Sequence, residues 1–259
     1  MRDDARTEEA RVPEGMGGLA KGLAILEAFS PQCSRLTVSE AAECAGTSRA
    51  SARRCLLTLT ELGYLEFDGK FYRPQPRLLL LGNRQLATRS LPEIAQPFLM
   101  TARDELHESA SLAVLDGDKG LFVARAEADR LVMTGISVGT RMDLYCSATG
   151  RVLLSGQDDE EIEAYLNRAK LKPRTKLTVT RKSALREVIR HARMHGYATT
   201  DQELELGLRS IAVPVRDSRD RLVAAMSASA SSARVTLQQM IRSFVPVLRE
   251  KAIALGRAL

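Results

Sequence analysis

The chain contains no tryptophan, three histidines and four cysteines, and aromatic residues make up only 4% of its 259 positions. Cys33, Cys44, Cys55 and Cys146 form no Cys-x-x-Cys pair and have no histidine at ligand spacing, which argues against a structural zinc and against a disulfide framework. No metal and no cofactor is therefore expected. Long hydrophobic runs are also missing: the apolar stretches are short, such as the four leucines after Arg77, and none approaches the roughly 20 residues of a membrane span. Residues 1–17 are polar and mixed in charge, without the apolar core of a signal peptide, and read as a disordered arm of a cytoplasmic protein that does not engage membranes.

What the chain does have is enough apolar residue, 44%, to bury the cores of one or two domains. Its formal net charge of +6 favours an anionic partner only weakly, but the charge is concentrated. From Ser48 to Arg89 there are eight basic residues against three acidic ones, close to the excess of the whole chain.

That basic stretch follows three helical segments. Leu19, Leu23, Leu26 and Phe29 recur at helical spacing over Gly18–Phe29. A second helix starts at Thr37, which forms a capping box with Glu40, and ends before Gly46. Ser48 caps a third, in which Ala52, Cys55, Leu56, Leu59 and Leu62 share one face and Gly63 provides the stop. Ala50, Arg53 and Arg54 lie opposite that face, with Arg49 and Ser51 on its flanks. Basic residues at a helix start oppose the helix dipole, so a negative group outside the chain is the natural compensation. A charge pair on an amphipathic helix is ordinarily just a solvated face. Here it is followed by Tyr64–Phe67, an Asp68-Gly69 turn and Lys70–Arg73, a hairpin that completes a winged helix-turn-helix. The third helix of that arrangement enters the major groove, and the candidate DNA-contacting residues are Thr47, Ser48, Arg49, Ala50, Ser51, Arg53 and Arg54, with Lys70 on the wing.

Beyond Pro76 a leucine-rich segment reads as a helical connector, and a helix near Leu91–Glu105 should be kinked at Pro97. The pattern then changes. Strands are expected at Leu112–Leu115, Leu121–Ala126, Leu131–Ile136, Ser210–Val215 and Leu222–Ser229, with a turn at residues 116–120. Helices are expected at Ala148–Ser155, Asp159–Ala169, Arg181–Met194 and Leu237–Leu255. An antiparallel sheet with helices on its faces is the natural packing. In "CSATGRVLLS" the amides of Ala148, Thr149 and Gly150 open a helix, where free N–H groups bind carboxylates; an ordinary cap by Ser147 is the plainer alternative.

With "LAKGLAILEAFS", "LTVSEAAECAGTSRASARRCLLTLTELGYL", "CSATGRVLLS" and "GYATTDQELELGLRSIAVPVRDSRDRLVAAMSAS", the chain resembles the IclR family of bacterial transcriptional regulators from Leu19 to its end. The third helix is similar to that of the branch controlling catabolism of aromatic acids, among them regulators of protocatechuate, 4-hydroxybenzoate and β-ketoadipate pathways. The resemblance implies an α+β protein: a winged helix-turn-helix (18–75), a helical linker (76–90) and a GAF-like antiparallel-sheet effector domain (91–259). It implies double-stranded DNA with a palindromic operator as one partner, a small organic acid as another, and self-association into dimers or tetramers. The family's effector positions carry over to Ala148, Thr149, Gly150, Asp201, Ser210, Ser227 and Ser229. Ser210 departs from the cysteine that many members carry. Tyr145 and Met133 are candidate apolar walls or core residues, and Arg151 could meet an acid, although a helical arginine so placed more often faces solvent.

Two other functions compete. An enzyme could use Cys146 as a nucleophile, although His107, His191 and His195 all lie far from it in sequence. A DNA-binding protein could also use its large domain for oligomerisation alone, with no ligand.

Overall fold

The computed structural model describes residues 16–30, 33–78, 81, 90–128 and 136–259. The arm over 1–15, most of the expected linker, Met133 and the expected strand at Leu131–Ile136, all but its last residue, fall outside them. The chain divides into two compact units, one ending at Thr88 and the other starting at Arg89.

The first unit is built from α1 (Gly17–Glu27), α2 (Val38–Cys44), α3 (Arg49–Glu61) and a hairpin of β1 (Leu65–Phe67) with β2 (Tyr72–Pro74). Thr37 and Glu40 form the expected capping box at α2, and Ser48 accepts from the Ser51 amide to start α3. Gly46 takes a positive φ of 57° in the turn between the two helices, a conformation that a Cβ would strain. Ile25, Leu36, Ala41, Ala52, Leu56, Leu65 and Tyr72 fill the core.

Two details depart from the sequence pattern. In α1, Leu19 and Leu23 are exposed and Ile25 is buried instead. The helix is held to α3 near its start by the Cys55 thiol, which reaches the Gly18 carbonyl at 3.8 Å, while Ile25 packs into the core. Leu62, expected on the buried face of α3, is half exposed because it is the C-cap residue, already beyond the last turn that packs.

The second unit is a six-stranded antiparallel sheet with helices on both faces, an α+β arrangement. Its elements are α4 (Leu91–Leu106), β3 (Ala110–Asp116), β4 (Lys119–Ala126), β5 (Arg141–Asp143), α5 (Ala148–Ser155), α6 (Asp159–Arg168), α7 (Lys182–His195), β6 (Ala198–Asp201), β7 (Leu208–Arg216), β8 (Leu222–Ser231) and α8 (Leu237–Arg257). The strand order is β5-β4-β3-β8-β7-β6. The short polar strands β5 and β6 carry no apolar alternation and were not expected. Helix α4 runs as one element with Pro97 inside it.

Alternation along the strands separates two cores. Ile211, Val213 and Val215 of β7 and Ala224, Met226 and Ala228 of β8 face α4 and α8. Their neighbours Ala212 and Ala225 face the layer of α5, α6 and α7. Ser210, Ser227 and Ser229 follow the same alternation, which puts all three hydroxyls on the α5 face.

Helix α8 seats tightly on this sheet: a Cβ at Gly256 would lie 2.0 Å from the Arg216 carbonyl oxygen. Gly256→Ala is therefore expected to destabilise the C-terminal unit by about 1–3 kcal/mol, seen as a lower midpoint in urea unfolding. An unchanged midpoint would show that this contact relaxes without cost.

Candidate functional site

In the N-terminal unit the Ser48 cap and the glycine turn before it present the start of α3 to solvent. Arg49, Ala50, Arg53 and Arg54 are exposed, Thr47 and Ser51 half buried. Arg49 and Arg53 stand one turn apart, and none of the three arginines makes an ion pair or hydrogen bond among the described residues. The wing adds to this surface. Backbone amides of Phe71 and Lys70 bond the Asp68 carboxylate at 2.8 and 3.0 Å and hold its pKa below the usual range, which fixes the turn. Lys70 is exposed at the tip, its ammonium 5.1 Å from the Phe71 ring centre, and the Arg35 guanidinium lies 4.4 Å from the same ring. Arg35 precedes α2, and only the fold brings it to the wing.

In the C-terminal unit a narrow recess of about 20 Å³ opens on the α5 face of the sheet. Ala148, Thr149, Ser210, Ser227 and Ser229 line it, as the family resemblance implies. Ser111, Ser147 and Thr200 add hydroxyls, while Phe122, Ile136, Met142 and Leu204 supply apolar wall. Strand pairing explains the convergence: Thr200 stands opposite Ser210, Ser210 opposite Ser229, and Ser227 opposite Ser111. Ser111 and Thr200 could have been found by extending the alternation from Ser227 and Ser210, had β3 and β6 been paired correctly.

Two expected residues behave differently. Gly150 does not line the recess; its amide is taken by Ser147 Oγ at 3.1 Å, and a Cβ there would sit 2.3 Å from Leu144 backbone atoms. Asp201 is held by Arg209, whose Nε donates to it at 2.7 Å, and it stands outside the lining. The amides of Ala148 and Thr149 make no hydrogen bond among the described residues. Ser210 and Ser229 share a bond of 2.8 Å, in which one hydroxyl must donate to the other, so one proton is left for a ligand. Among the described residues, no carboxylate and no full cation lines the recess.

Tyr145 is core, not wall: it is buried, with its hydroxyl donating to the Lys172 carbonyl at 2.5 Å. Arg151 is the larger correction. It is 2% exposed and lies beneath the recess, donating to the carbonyls of Tyr145 (3.1 Å) and Thr199 (2.8 Å). It also grips both oxygens of Glu203 at 2.7 and 2.6 Å. A helical arginine in the first turn looks solvent-facing in a sequence because its partner is 52 residues away.

Comparison with known proteins decides what this arrangement belongs to. Residues 84–257 match the bacterial transcriptional regulator IclR C-terminal domain, and residues 18–69 match the IclR helix-turn-helix domain. The chain belongs to the IclR family. It is 41% identical over 237 residues to the Pca regulon regulatory protein of Pseudomonas putida, covering 91% of this chain and 81% of that protein. It is 36% identical over 251 residues to the p-hydroxybenzoate hydroxylase transcriptional activator of Acinetobacter baylyi, covering 95% and 93%. Among solved structures, an IclR homolog from Microbacterium hydrocarbonoxydans complexed with 4-hydroxybenzoate superposes with a TM-score of 0.81 at 27% identity, covering 92% of this chain and 97% of that one.

IclR-family proteins are DNA-binding regulators, and the chemistry at Cys146 fits that role better than catalysis. The thiol is buried, and desolvation pushes its pKa up to about 11, so almost none is thiolate at neutral pH. Its nearest carboxylate, Asp143, is buried enough to be raised but is held below the usual range by hydrogen bonds from Lys119 and Arg174. A stable anion there disfavours a second one on the thiol.

Arg151→Met would strand the buried Glu203 carboxylate and is expected to cost the C-terminal unit about 3–5 kcal/mol. Adding Glu203→Leu should restore most of that loss, because it removes the unpaired charge. Urea unfolding of the two variants checks this, and a single variant as stable as the wild type would contradict it.

Proposed function

We propose that this IclR-family regulator binds a palindromic operator as a dimer, through α3 and the wing, and that a small aromatic acid in the recess shifts that binding. The observation that carries the effector half is the chemistry of the recess: amide and hydroxyl donors with, among the described residues, no carboxylate beside them. The amides of Ala148 and Thr149 and the hydroxyls of Ser210, Ser227 and Ser229 suit the polar ends of an acid, while Phe122, Ile136, Met142 and Leu204 suit a ring between them. The 4-hydroxybenzoate held by the Microbacterium homolog and the names of the Pseudomonas and Acinetobacter relatives support aromatic acids as the class. Asp201 and Gly150 act in this reading by shaping the loops and not by touching the ligand.

For the DNA half, Thr47, Ser48, Arg49, Ala50, Ser51, Arg53 and Arg54 form the groove-facing surface and Lys70 follows the backbone. A single winged helix reads too few base pairs to be selective, which is why two copies on inverted half-sites, about 34 Å or a multiple apart, are the working unit. Such a protein acts where the DNA is, in the cytoplasm.

Arg54→Ala is expected to weaken operator binding by about 1–3 kcal/mol if its contact is bidentate to guanine, relaxing preference at one base pair. Lys70→Ala should weaken all sequences alike and flatten the salt slope by about one. Fluorescence anisotropy over a salt series measures both, and unchanged binding in the two variants would contradict the assignment of α3 and the wing.

An acid at 100 times its dissociation constant should stabilise the wild type by about 2.7 kcal/mol. Ser210→Ala should weaken binding by about 1–3 kcal/mol, remove between a third and most of that gain at the same ligand concentration, and blunt the operator response without altering ligand-free DNA binding. A panel of 4-hydroxybenzoate, protocatechuate and β-ketoadipate in thermal unfolding and anisotropy provides the test. No stabilisation by any of them would favour a regulator whose large domain serves only to oligomerise.

A further inference from the structure

A buried cation stands one hydrogen bond behind the recess. Arg125 of β4 pairs with Ser111 of β3, and Ser111 pairs with Ser227 of β8, so the three form one cross-strand row. The Arg125 side chain is 7% exposed. Its Nη1 donates to Ser111 Oγ at 2.9 Å and its Nε donates to Glu127 Oε1 at 3.1 Å. Glu127 is more than half exposed, whereas Ser111 is buried, so the bond to Ser111 is the one directed to the recess.

The direction of the Arg125 to Ser111 bond matters. Arginine has donors and no acceptor, so Ser111 can only accept from it, and the serine's own proton is left to donate elsewhere. A hydroxyl that accepts from a cation is a stronger donor in turn. Ser111 itself is buried and lines the recess, and the hydroxyl of Ser227 beside it makes no hydrogen bond among the described residues. Two neighbouring hydroxyl donors with a guanidinium behind one of them form a carboxylate site. Neither the amides of α5 nor the Ser210–Ser229 pair has a full charge in support.

We infer that Arg125 is the specificity-determining residue for the effector's charge: Ser111 and Ser227 hold the carboxylate, Arg125 supplies the field behind them, and ionised acids are selected over neutral isosteres. The amides of Ala148 and Thr149 then receive the ligand's second polar group, such as a ring hydroxyl. The ligand class is thus a hydroxy acid and not any small acid. This rests on the effector reading above.

Calorimetry on the full-length protein tests it, with 4-hydroxybenzoate against 4-hydroxybenzamide and protocatechuate against its amide. The wild type should bind each acid about tenfold or more tighter than its amide, as expected for charge-assisted hydrogen bonds. Arg125→Met should collapse that ratio toward one by weakening the acid alone, and Arg125→Lys should keep part of it. Ser111→Ala leaves the cation in place, is the milder change to the fold, and should also reduce the ratio. An acid preference intact in both Arg125→Met and Ser111→Ala, or equal loss of acid and amide in both, overturns the inference while leaving the effector reading standing. A wild type that binds neither acid overturns both.

Discussion

The effector half of this molecule depends on one buried ion pair. Arg151 rises from the first turn of α5, and Glu203 from the loop after β6. Their two short contacts tie together the helix whose amides open into the recess and the loop whose Leu204 walls it. Glu203 also accepts from the Val179 amide at 2.9 Å, and the hydroxyl of Thr178 bonds the Glu203 carbonyl. The backbone around it is tightly turned, with positive φ at Gln202 and Gly207. A pair this deeply buried is not justified by net stability, since apolar side chains of similar volume often do as well. Its value is geometric: four guanidinium N–H groups and both carboxylate oxygens are engaged, which holds the helix start and the loop in one arrangement.

The N-terminal unit follows the opposite rule. In the C-terminal unit Arg168, Arg174 and Arg186 each meet a carboxylate, at Asp118, Asp143 and Glu163. On α3, Arg49, Arg53 and Arg54 meet none among the described residues. Like charges one turn apart cost a few tenths of a kcal/mol and oppose the helix dipole as well. An anionic polymer removes both costs on binding, and the released counterions add a salt-dependent gain. The same residue type thus holds structure together in one unit and stays available in the other.

Much of this was legible in the sequence, for physical reasons that differ by element. The capping box at Thr37, the Ser48 and Ser147 caps and the Asp68-Gly69 turn are local, so a few adjacent residues specify them. Strands β7 and β8 alternate strongly enough that their serines could be assigned to one face. Strands β5 and β6 were missed because three or four polar residues carry no period, and their pairing is enforced by neighbours far along the chain. Leu19 and Leu23 were misassigned because periodicity marks an apolar face without saying how much of it the core covers; Ile25 is the residue buried. Arg151 and Arg125 illustrate the largest gap. A lone arginine in a helix or strand reads as solvated, and only the fold brings Glu203 or Ser111 to it.

The account's central claim is that the amides at the start of α5 receive a polar group of the effector. Those amides differ in the free protein: Gly150 N–H is already bonded to Ser147, while those of Ala148 and Thr149 are not bonded among the described residues. Residue-resolved hydrogen exchange with and without saturating 4-hydroxybenzoate reads this directly. The account predicts that exchange at Ala148 and Thr149 slows on binding while Gly150, protected from the outset, changes little. Ligand-bound protein in which Ala148 and Thr149 exchange as fast as before, with protection gained elsewhere, would contradict it.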